Sequence, residues 1–247
     1  MSEHIDYHKD GAIAVVRFNR PEKKNAITTA MYQAVVDGLS DARDDEAIRA
    51  VAILGGETFT AGNDIGDFIA AGAGLNGDLP VVKLIGLLID YPKPIVAGVK
   101  GAAVGIGTTM LMHCDAVVAG RSARFSLPFV KLGLVPEAGS SILFSLIAGR
   151  TRASWYLLSG EQFGADEALE LGLVNRVTED QDVDGAVAIM CGILAELPPV
   201  ALQTTKRLLK ARFLDIVKSA RDEELREFSK ALRSEEAQAA FMKFMSR

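Results

Sequence analysis

The chain has 247 residues, of which 49% are hydrophobic, and its 32 acidic and 27 basic side chains give a formal net charge of −5. This length and composition predict a globular protein with a substantial core, and the negative charge disfavours a nucleic-acid or anionic-membrane surface, since both need basic patches. The two cysteines, Cys114 and Cys191, lie in apolar stretches without partners at ligand spacing, so neither a disulfide nor a metal site is expected.

The first part of the chain predicts strands that alternate with helices. Residues 5–18 alternate around an Asp-Gly pair and predict a hairpin. Residues 28–43 predict a helix capped by either Thr28 or Thr29, and residues 49–54 predict a buried strand. A strand, a glycine turn and a helix follow over 94–114, and again more loosely over 115–147. A unit used about three times favours a stacked spiral over a barrel.

From residue 151 onward strand signals nearly vanish, apart from a short run at 173–177. Apolar stripes at helical spacing predict helices that pack on a neighbouring subunit, with packing on the chain's own core as the alternative. The predicted helices span residues 151–159, 164–171, 182–196, 199–218 and 221–246. The stripes consist of Leu202, Leu208, Leu209 and Phe213, then Leu225, Phe228, Leu232, Phe241 and Phe244.

Two glycine-rich segments, residues 59–64 and 101–107, each lie between a strand-like and a helix-like run. A strand that opens directly into a helix leaves backbone N–H groups unpaired, and two such groups can stabilise a carbonyl oxygen that becomes an oxyanion. A third segment, residues 136–141, supplies the carboxylate of Glu137 nearby. Together these segments indicate a site that forms an enolate. Taken singly, each is also consistent with an ordinary strand-to-helix turn.

Glu137 allows two interpretations, because it lies where a buried turn meets a helix start. Its carboxylate either caps that helix or faces an apolar pocket. In the pocket, desolvation would raise its pKa toward the range useful for proton transfer near neutral pH. Other chemistries lack their signatures. Residues 105–110 hold only two of the three glycines of a dinucleotide fingerprint, and no nucleophile elbow occurs.

The first residues and the least polar region of the chain bear on where in the cell the protein is found. Residues 1–6 lack the basic and then apolar pattern of a signal peptide. The longest weakly polar region, residues 94–114, is rich in glycine and interrupted by Lys100 and His113, which argues against a membrane span. We therefore expect a soluble, cytoplasmic protein without a membrane partner.

With these segments in place, the chain resembles the crotonase (enoyl-CoA hydratase/isomerase) superfamily over nearly its whole length. The resemblance rests on residues 19–26, 59–65, 101–115 and 164–174. It implies an α/β fold in which a spiral of ββα turns, residues 1–190, precedes a helical C-terminal oligomerisation region, residues 191–247. It also implies an acyl-CoA thioester substrate, no separate cofactor or metal, and a homotrimer or dimer of trimers.

The resemblance also implies roles for individual residues. The thioester oxygen would accept hydrogen bonds from the backbone N–H groups of Ala61 and Ile106, and Lys243 could contact a CoA phosphate. Isoleucine at 106, where the family often has glycine, would narrow the pocket. The implied substrate-binding residues are Lys24, Ala26, Asn63, Asp64, Ile65, Thr109 and Phe129.

Two departures from the family pattern decide the expected reaction. Hydratases of this family use two glutamates to activate water, and the matching positions here hold Thr109 and Phe129. Glu137 instead matches the acidic residue of 3,2-enoyl-CoA isomerases, which implies a catalytic base that moves a proton from C2 to C4 of a 3-enoyl thioester. Two alternatives remain: a hydratase or other CoA-thioester lyase that uses Glu137 alone, and a non-catalytic acyl-CoA-binding protein.

An apolar stripe between the two glycine segments is a candidate lining for the acyl tunnel, and core packing is an equal alternative. The stripe consists of Ile69, Leu75, Leu79, Val82, Leu84 and Leu88.

Overall fold

The computed structural model describes residues 2–70 and 79–245. The chain begins with the predicted hairpin, in which β1 (Ile5–Asp10) pairs antiparallel with β2 (Ile13–Phe18). Gly11 takes φ 56° in the connecting turn, a left-handed backbone that glycine adopts without steric cost. The side chains of β2 alternate between buried and half-buried, so the strand is covered mainly on one face.

The main sheet has six strands in the order β1-β2-β3-β4-β6-β9. Every neighbouring pair after the hairpin is parallel, so helical crossovers connect the strands. β3 and β4 are buried at every position, as expected for strands covered on both faces. The added strands are β3 (Ala50–Leu54), β4 (Ile95–Val99), β6 (Ala116–Gly120) and β9 (Arg176–Thr178).

A second sheet of three strands, in the order β5-β7-β8, forms a separate layer. It consists of β5 (Ala102–Val104), β7 (Arg124–Ser126) and β8 (Gln162–Gly164). α1 (Thr29–Asp44) is capped by Thr28, as predicted. The other helices of this half are α2 (Ile65–Ala70), α3 (Pro80–Asp90) and the short α4 (Ile106–Thr109). This arrangement, which is followed along the chain by a mostly helical C-terminal region, confirms the predicted α/β spiral.

The second half is mostly helical. It contains α5 (Ser140–Ala148), α6 (Arg150–Ser159), α7 (Ala165–Leu171), α8 (Val183–Glu196), α9 (Pro199–Ala211), α10 (Leu214–Ala231) and α11 (Glu235–Met245). The predicted helix over 199–218 is wrong, because the chain breaks between α9 and α10. No glycine or proline marks the break; separate helices allow Lys206 of α9 and Phe228 of α10 each to be buried.

The two predicted apolar stripes have different surroundings. Leu208, Leu209 and Phe213 are exposed in the single chain, with Leu209 72% exposed. Phe228 and Phe241 instead belong to the core cluster, so the core alternative is the correct one for them. The proposed boundary between residues 190 and 191 lies inside α8, which packs on β3, β4 and β6.

Within residues 2–70 and 79–245, no single helix combines the length and hydropathy needed to cross a bilayer. The helices Asp180–Glu196 and Pro199–Ala211 are bent by 110° at the break between them, and together they meet these two requirements by length and composition only.

Candidate active site

The early loop and the first glycine segment are joined by Asn25. Its side chain accepts a hydrogen bond from the Arg20 N–H at 2.6 Å and donates to the Thr58 carbonyl at 2.6 Å. In return, Thr60 Oγ1 donates to the Asn25 carbonyl at 2.6 Å. Asn25 is 2% exposed and has φ 56°, a conformation that asparagine tolerates better than most residues. This network fixes the first glycine segment against the loop.

The same junction corrects one predicted role. The Ala61 N–H donates to the Lys24 carbonyl at 2.9 Å, so it is already paired and is not free to bind a substrate oxygen. Two residues further on, the Asn63 N–H has no acceptor among the described residues. Gly62 has φ 88°, and this turn separates the paired amide of Ala61 from the unpaired amide of Asn63.

The second glycine segment lies directly beside the first. The Thr60 N–H donates to the Ala102 carbonyl at 2.9 Å, and the Val104 N–H donates to the Thr60 carbonyl at 3.1 Å. Ile106 is the first residue of α4, where a helix leaves its N–H groups without intrahelical partners. In the described part of the chain, the Ile106 N–H has no acceptor either. Asn63 and Ile106, whose N–H groups have no acceptor among the described residues, thus both line one pocket.

Glu137 lies in the turn before α5 and contacts Thr109 at the end of α4. Thr109 Oγ1 donates to Glu137 Oε1 at 2.5 Å. Burial raises the pKa of Glu137 from 4.5 to about 8, the Thr109 hydrogen bond opposes this rise, and the charge of Glu224 adds to it. Glu137 is half-buried and lines the pocket. Its carboxyl therefore titrates in the range that suits a group that takes and returns a proton.

The pocket that contains these groups has a volume of about 660 Å³ and a mostly apolar wall. Phe129 is 5% exposed, and its ring packs edge-on against Phe228 with 6.5 Å between centroids. The remaining wall is formed by the turn after β7 and by α11. Among the described residues that line this pocket, Glu137 is the only acid. The lining includes Ala61, Asn63, Ile65, Ile106, Phe129, Leu132, Leu134, Glu137, Phe228, Phe241 and Lys243.

The remaining predicted binding residues differ in their positions. Asn63 and Ile65 line the pocket, whereas Lys24 and Ala26 are not among its described lining residues. The Asp64 carboxylate pairs with Arg20 Nη1 at 2.8 Å, and this arginine lowers the pKa of Asp64. Asp64 therefore holds the loop in place, and its charge is already matched.

The apolar stripe proposed as a tunnel divides between cavity and core. Val82 lines a cavity of about 40 Å³ that also reaches Glu137 and Phe228. Leu84 and Leu88 are buried in the main core cluster, so core packing is the correct alternative for them. Leu79 is half-buried, whereas Leu75 and the side chain of Ile69 lie outside the described part of the structure.

Sequence reasoning missed Glu224 and the role of Tyr32. Glu224, on α10, accepts hydrogen bonds from the backbone beside Glu137, and the Tyr32 hydroxyl donates to Asn63 Oδ1. Glu224 is 87 positions from Glu137 in the chain, and neither Glu224 nor Tyr32 belongs to a recognisable motif. Only the amphipathic pattern of α10, which buries one face, would have drawn attention to an acid among apolar neighbours.

A second, larger cavity of about 820 Å³ lies between α6 and α7. Its wall includes Trp155, Tyr156, Glu167 and Glu170, and Tyr156 donates its hydroxyl proton to Glu167. Neither of the unpaired amides nor Glu137 contacts this cavity. The smaller pocket is therefore the candidate active site.

Known proteins of similar sequence match this chain over its whole length. The family model for enoyl-CoA hydratase/isomerase matches residues 8–247. Enoyl-CoA delta isomerase 2 of Rattus norvegicus is 35% identical over 251 residues, which cover 100% of this chain and 64% of the relative. The 2,3-dehydroadipyl-CoA hydratase of Escherichia coli K12 is 34% identical over 214 residues, covering 85% of this chain and 82% of the hydratase.

A solved structure of similar sequence matches the entire fold. OdaA of Pseudomonas aeruginosa is 41% identical, superposes with a TM-score of 0.96 and covers 100% of both chains. The rat isomerase and its human counterpart are longer, since this chain spans 64% and 62% of their lengths. The relatives thus include both isomerases and a hydratase by name.

Proposed function

The chain belongs to the enoyl-CoA hydratase/isomerase family, and from that premise we propose that it converts 3-enoyl-CoA thioesters to trans-2-enoyl-CoA thioesters. The Glu137 carboxylate removes a proton from C2, so that the thioester becomes a dienolate. The protonated Glu137 then delivers the proton to C4, and the double bond moves from C3–C4 to C2–C3. Glu137 ends in its starting state.

The dienolate oxygen is stabilised by the N–H groups of Asn63 and Ile106. Both are main-chain donors without described acceptors, and they are held by the contacts between the two glycine segments. Donors fixed before the reaction stabilise developing charge without reorganisation. Asn63 replaces Ala61 in this role, while Ile106 keeps the role that the sequence predicted.

One observation carries the proposal: Glu137 is the only acid among the described lining residues, and it stands in a mostly apolar wall. A hydratase of this family would place carboxylates at 109 and 129. Here the Thr109 hydroxyl is hydrogen-bonded to Glu137, and the buried Phe129 ring excludes water from its part of the wall. A single acid in an apolar pocket suits proton shuttling better than the activation of water.

The test is to incubate the purified protein with 3-hexenoyl-CoA and, separately, with crotonyl-CoA, and to follow the absorbance of the conjugated thioester. We expect conjugation of the first substrate and no hydration of the second. Hydration of crotonyl-CoA at a comparable rate would contradict the proposal and favour a hydratase. CoA binding without either reaction would favour a binding protein.

We also propose that the protein assembles as a homotrimer or dimer of trimers. Exposed apolar side chains on α9, including Val200 at 78% and Leu209 at 72% exposure, support this proposal. A soluble monomer rarely exposes many large apolar groups together. Light scattering in dilute solution should give at least three times the chain mass of 26.4 kDa. A monomeric mass would contradict it.

A further inference from the structure

The turn that carries Glu137 has an unfavourable backbone. Ala138 has φ 60° and Gly139 has φ 72°. The left-handed region is rarely adopted by a residue with a Cβ atom. Such a conformation costs free energy and persists only where the surroundings fix it. The turn therefore needs anchors outside itself to hold Glu137 in one position.

The main anchor comes from α10. Glu224 Oε2 accepts a hydrogen bond from the Gly139 N–H at 2.6 Å, and Glu224 Oε1 accepts one from the Ser141 N–H at 2.9 Å. Glu224 is 7% exposed. Each carboxylate oxygen thus binds one amide at the start of α5, where the helix itself offers no acceptor. Two hydrogen bonds to one carboxylate fix both the position and the orientation of the turn.

A second anchor acts from the other side of the turn. His113 Nε2 donates to the Ala138 carbonyl at 2.8 Å. Burial lowers the pKa of His113 to about 4, so the ring is neutral, and the carbonyl partner places its proton on Nε2. Ala138 is therefore held through its carbonyl oxygen, and Gly139 is held through its N–H group.

We propose that Glu224 is a positioning residue for Glu137, which it holds in place by clamping the turn through the amides of Gly139 and Ser141. The inference rests on the proposed function, in which Glu137 is the base. Glu224 is not among the described residues that line either cavity containing Glu137. It acts through the backbone of the turn and through the electric field at the carboxyl of Glu137.

The groups around Glu137 define its titration. Thr109 faces it from α4, Tyr32 from α1 and Glu224 from α10. Arg221 lines the small cavity with Glu137, and Lys131 and Lys243 line the larger pocket. The charge of Glu224 raises the pKa of Glu137. Burial raises the pKa of Glu224, hydrogen bonds from the Ser141 side chain and from the amides of Ser141 and Gly139 lower it, and the charge of Glu223 adds to the rise.

The test compares Glu224→Gln with the control Glu227→Gln, an exposed residue on the same helix that pairs with Lys230. For Glu224→Gln we expect kcat to fall by about 10- to 100-fold, as for a base displaced by a fraction of an ångström to 1 Å, with KM changed less than about twofold, since the binding groups are retained. The acid limb of the pH–rate profile should move to lower pH, because the negative charge is lost. A kcat and an acid limb equal to those of Glu227→Gln would overturn the proposal.

If Glu224→Gln does not fold, Glu224→Asp decides. It keeps the charge but shortens the side chain, so kcat should fall while the acid limb stays in place. Wild-type kcat in Glu224→Asp would overturn the clamp.

A spectroscopic measurement separates this proposal from the proposed function. In protein labelled with ¹³C at glutamate carboxyls, the Glu137 signal is the one absent from Glu137→Gln. Its titration midpoint should fall in Glu224→Gln even if the wild-type protein does not isomerise 3-hexenoyl-CoA. An unmoved midpoint would overturn the electrostatic role, whatever the activity.

Discussion

Thr109 Oγ1 donates a 2.5 Å hydrogen bond to Glu137 Oε1. Position 109 is one at which hydratases of this family carry a glutamate. In this chain the residue there is a hydrogen-bond donor to Glu137. The hydroxyl stabilises the ionised form of Glu137, whereas burial and the Glu224 charge favour the protonated form. The pKa of about 8 is the balance of these opposing effects. The hydrogen bond and the Glu224 charge can each be removed separately by substitution.

Removing the hydrogen bond should move the pH profile in the opposite direction from Glu224→Gln. Thr109→Val keeps the shape of a fully buried side chain but leaves the Glu137 carboxylate without its donor, which raises the pKa of Glu137. The acid limb of the pH–rate profile should move by about one unit toward higher pH, which corresponds to about 1.4 kcal/mol. The rate is measured from pH 6 to 10.

The matched control is Thr108→Val. The Thr108 hydroxyl donates to the Ala103 carbonyl at 2.6 Å and does not contact Glu137. Its loss should lower stability without moving the acid limb. If Thr108→Val and Thr109→Val shift the limb equally, Thr109 has no specific effect on Glu137.

Replacement of the base itself should abolish turnover. Glu137→Gln keeps the size of the side chain and its contact with Thr109, but an amide cannot accept the C2 proton. We expect kcat to fall by at least about 10³-fold, or roughly 4 kcal/mol in barrier. Binding of the CoA thioester should persist and is measured by calorimetry. Retention of more than a tenth of wild-type turnover would exclude Glu137 as the base.

The same variant should be more stable than the wild type near neutral pH. A carboxyl whose pKa is raised to about 8 in the folded state stays protonated there, whereas in the unfolded chain it ionises near pH 4.5. Folded-state stability therefore falls as pH rises from about 4.5 to about 8. Glu137→Gln removes this loss, and the gain is on the order of a few kcal/mol, since each pKa unit corresponds to about 1.4 kcal/mol.

Denaturant unfolding of both proteins at pH 4 and pH 8 measures this difference. The stability curves should nearly coincide at pH 4 and diverge at pH 8, with the variant above the wild type. Equal differences at both pH values would show that the Glu137 carboxyl is not perturbed by folding.

The first loop gives a prediction on stability. Asn25→Ala removes hydrogen bonds to Arg20 and Thr58 and leaves a Cβ-bearing residue at φ 56°. We expect a loss of about 2 to 4 kcal/mol in the free energy of unfolding. Asn25→Gly should recover about 1 kcal/mol of it, because glycine adopts this backbone freely.

Chemical denaturation provides the measurement, and Asn19→Ala is the control, because that exposed side chain makes only a surface hydrogen bond with Asp6 at 3.0 Å. A glycine variant no more stable than the alanine variant would mean that backbone strain at residue 25 is unimportant.

Local patterns predicted the parts of the fold and site that depend on local physics. The hairpin around Gly11 and the Thr28 cap follow from turn chemistry and a side-chain oxygen, and both are read within a few residues. The placement of Glu137 between a buried turn and a helix start is also a local signal, whereas its expected role as the base came from the family resemblance. The break between α9 and α10 could not be predicted in this way. It depends on which faces of the two helices pack on the core, and no local residue marks it.

The errors at the site have the same origin. Ala61 and Asn63 both lie in the first glycine segment, and only the hydrogen bond from the Ala61 N–H to the Lys24 carbonyl shows which amide is already paired. Glu224 approaches Glu137 through the packing of α10 against α5. Sequence spacing carries no information on such contacts between distant segments.

Assignment of the Asn63 amide as a donor can be tested through the glycine that precedes it. Gly62 has φ 88°, and a Cβ atom there would lie 2.8 Å from the Val104 carbonyl oxygen. Gly62→Ala must therefore shift the segment and displace the Asn63 N–H from the dienolate oxygen. Loss of one such donor costs about 10²- to 10³-fold in kcat.

The control for this substitution is Gly56→Ala, since a Cβ atom at Gly56 meets no described atom within 4 Å. Turnover of 3-hexenoyl-CoA and binding of the CoA product are measured for both variants, with circular dichroism as a check on folding. We expect Gly62→Ala to lose turnover while it still binds product, because displacement of a donor to the dienolate weakens the transition state more than the ground state. A folded Gly62→Ala protein with wild-type kcat would show that the Asn63 amide does not stabilise the dienolate.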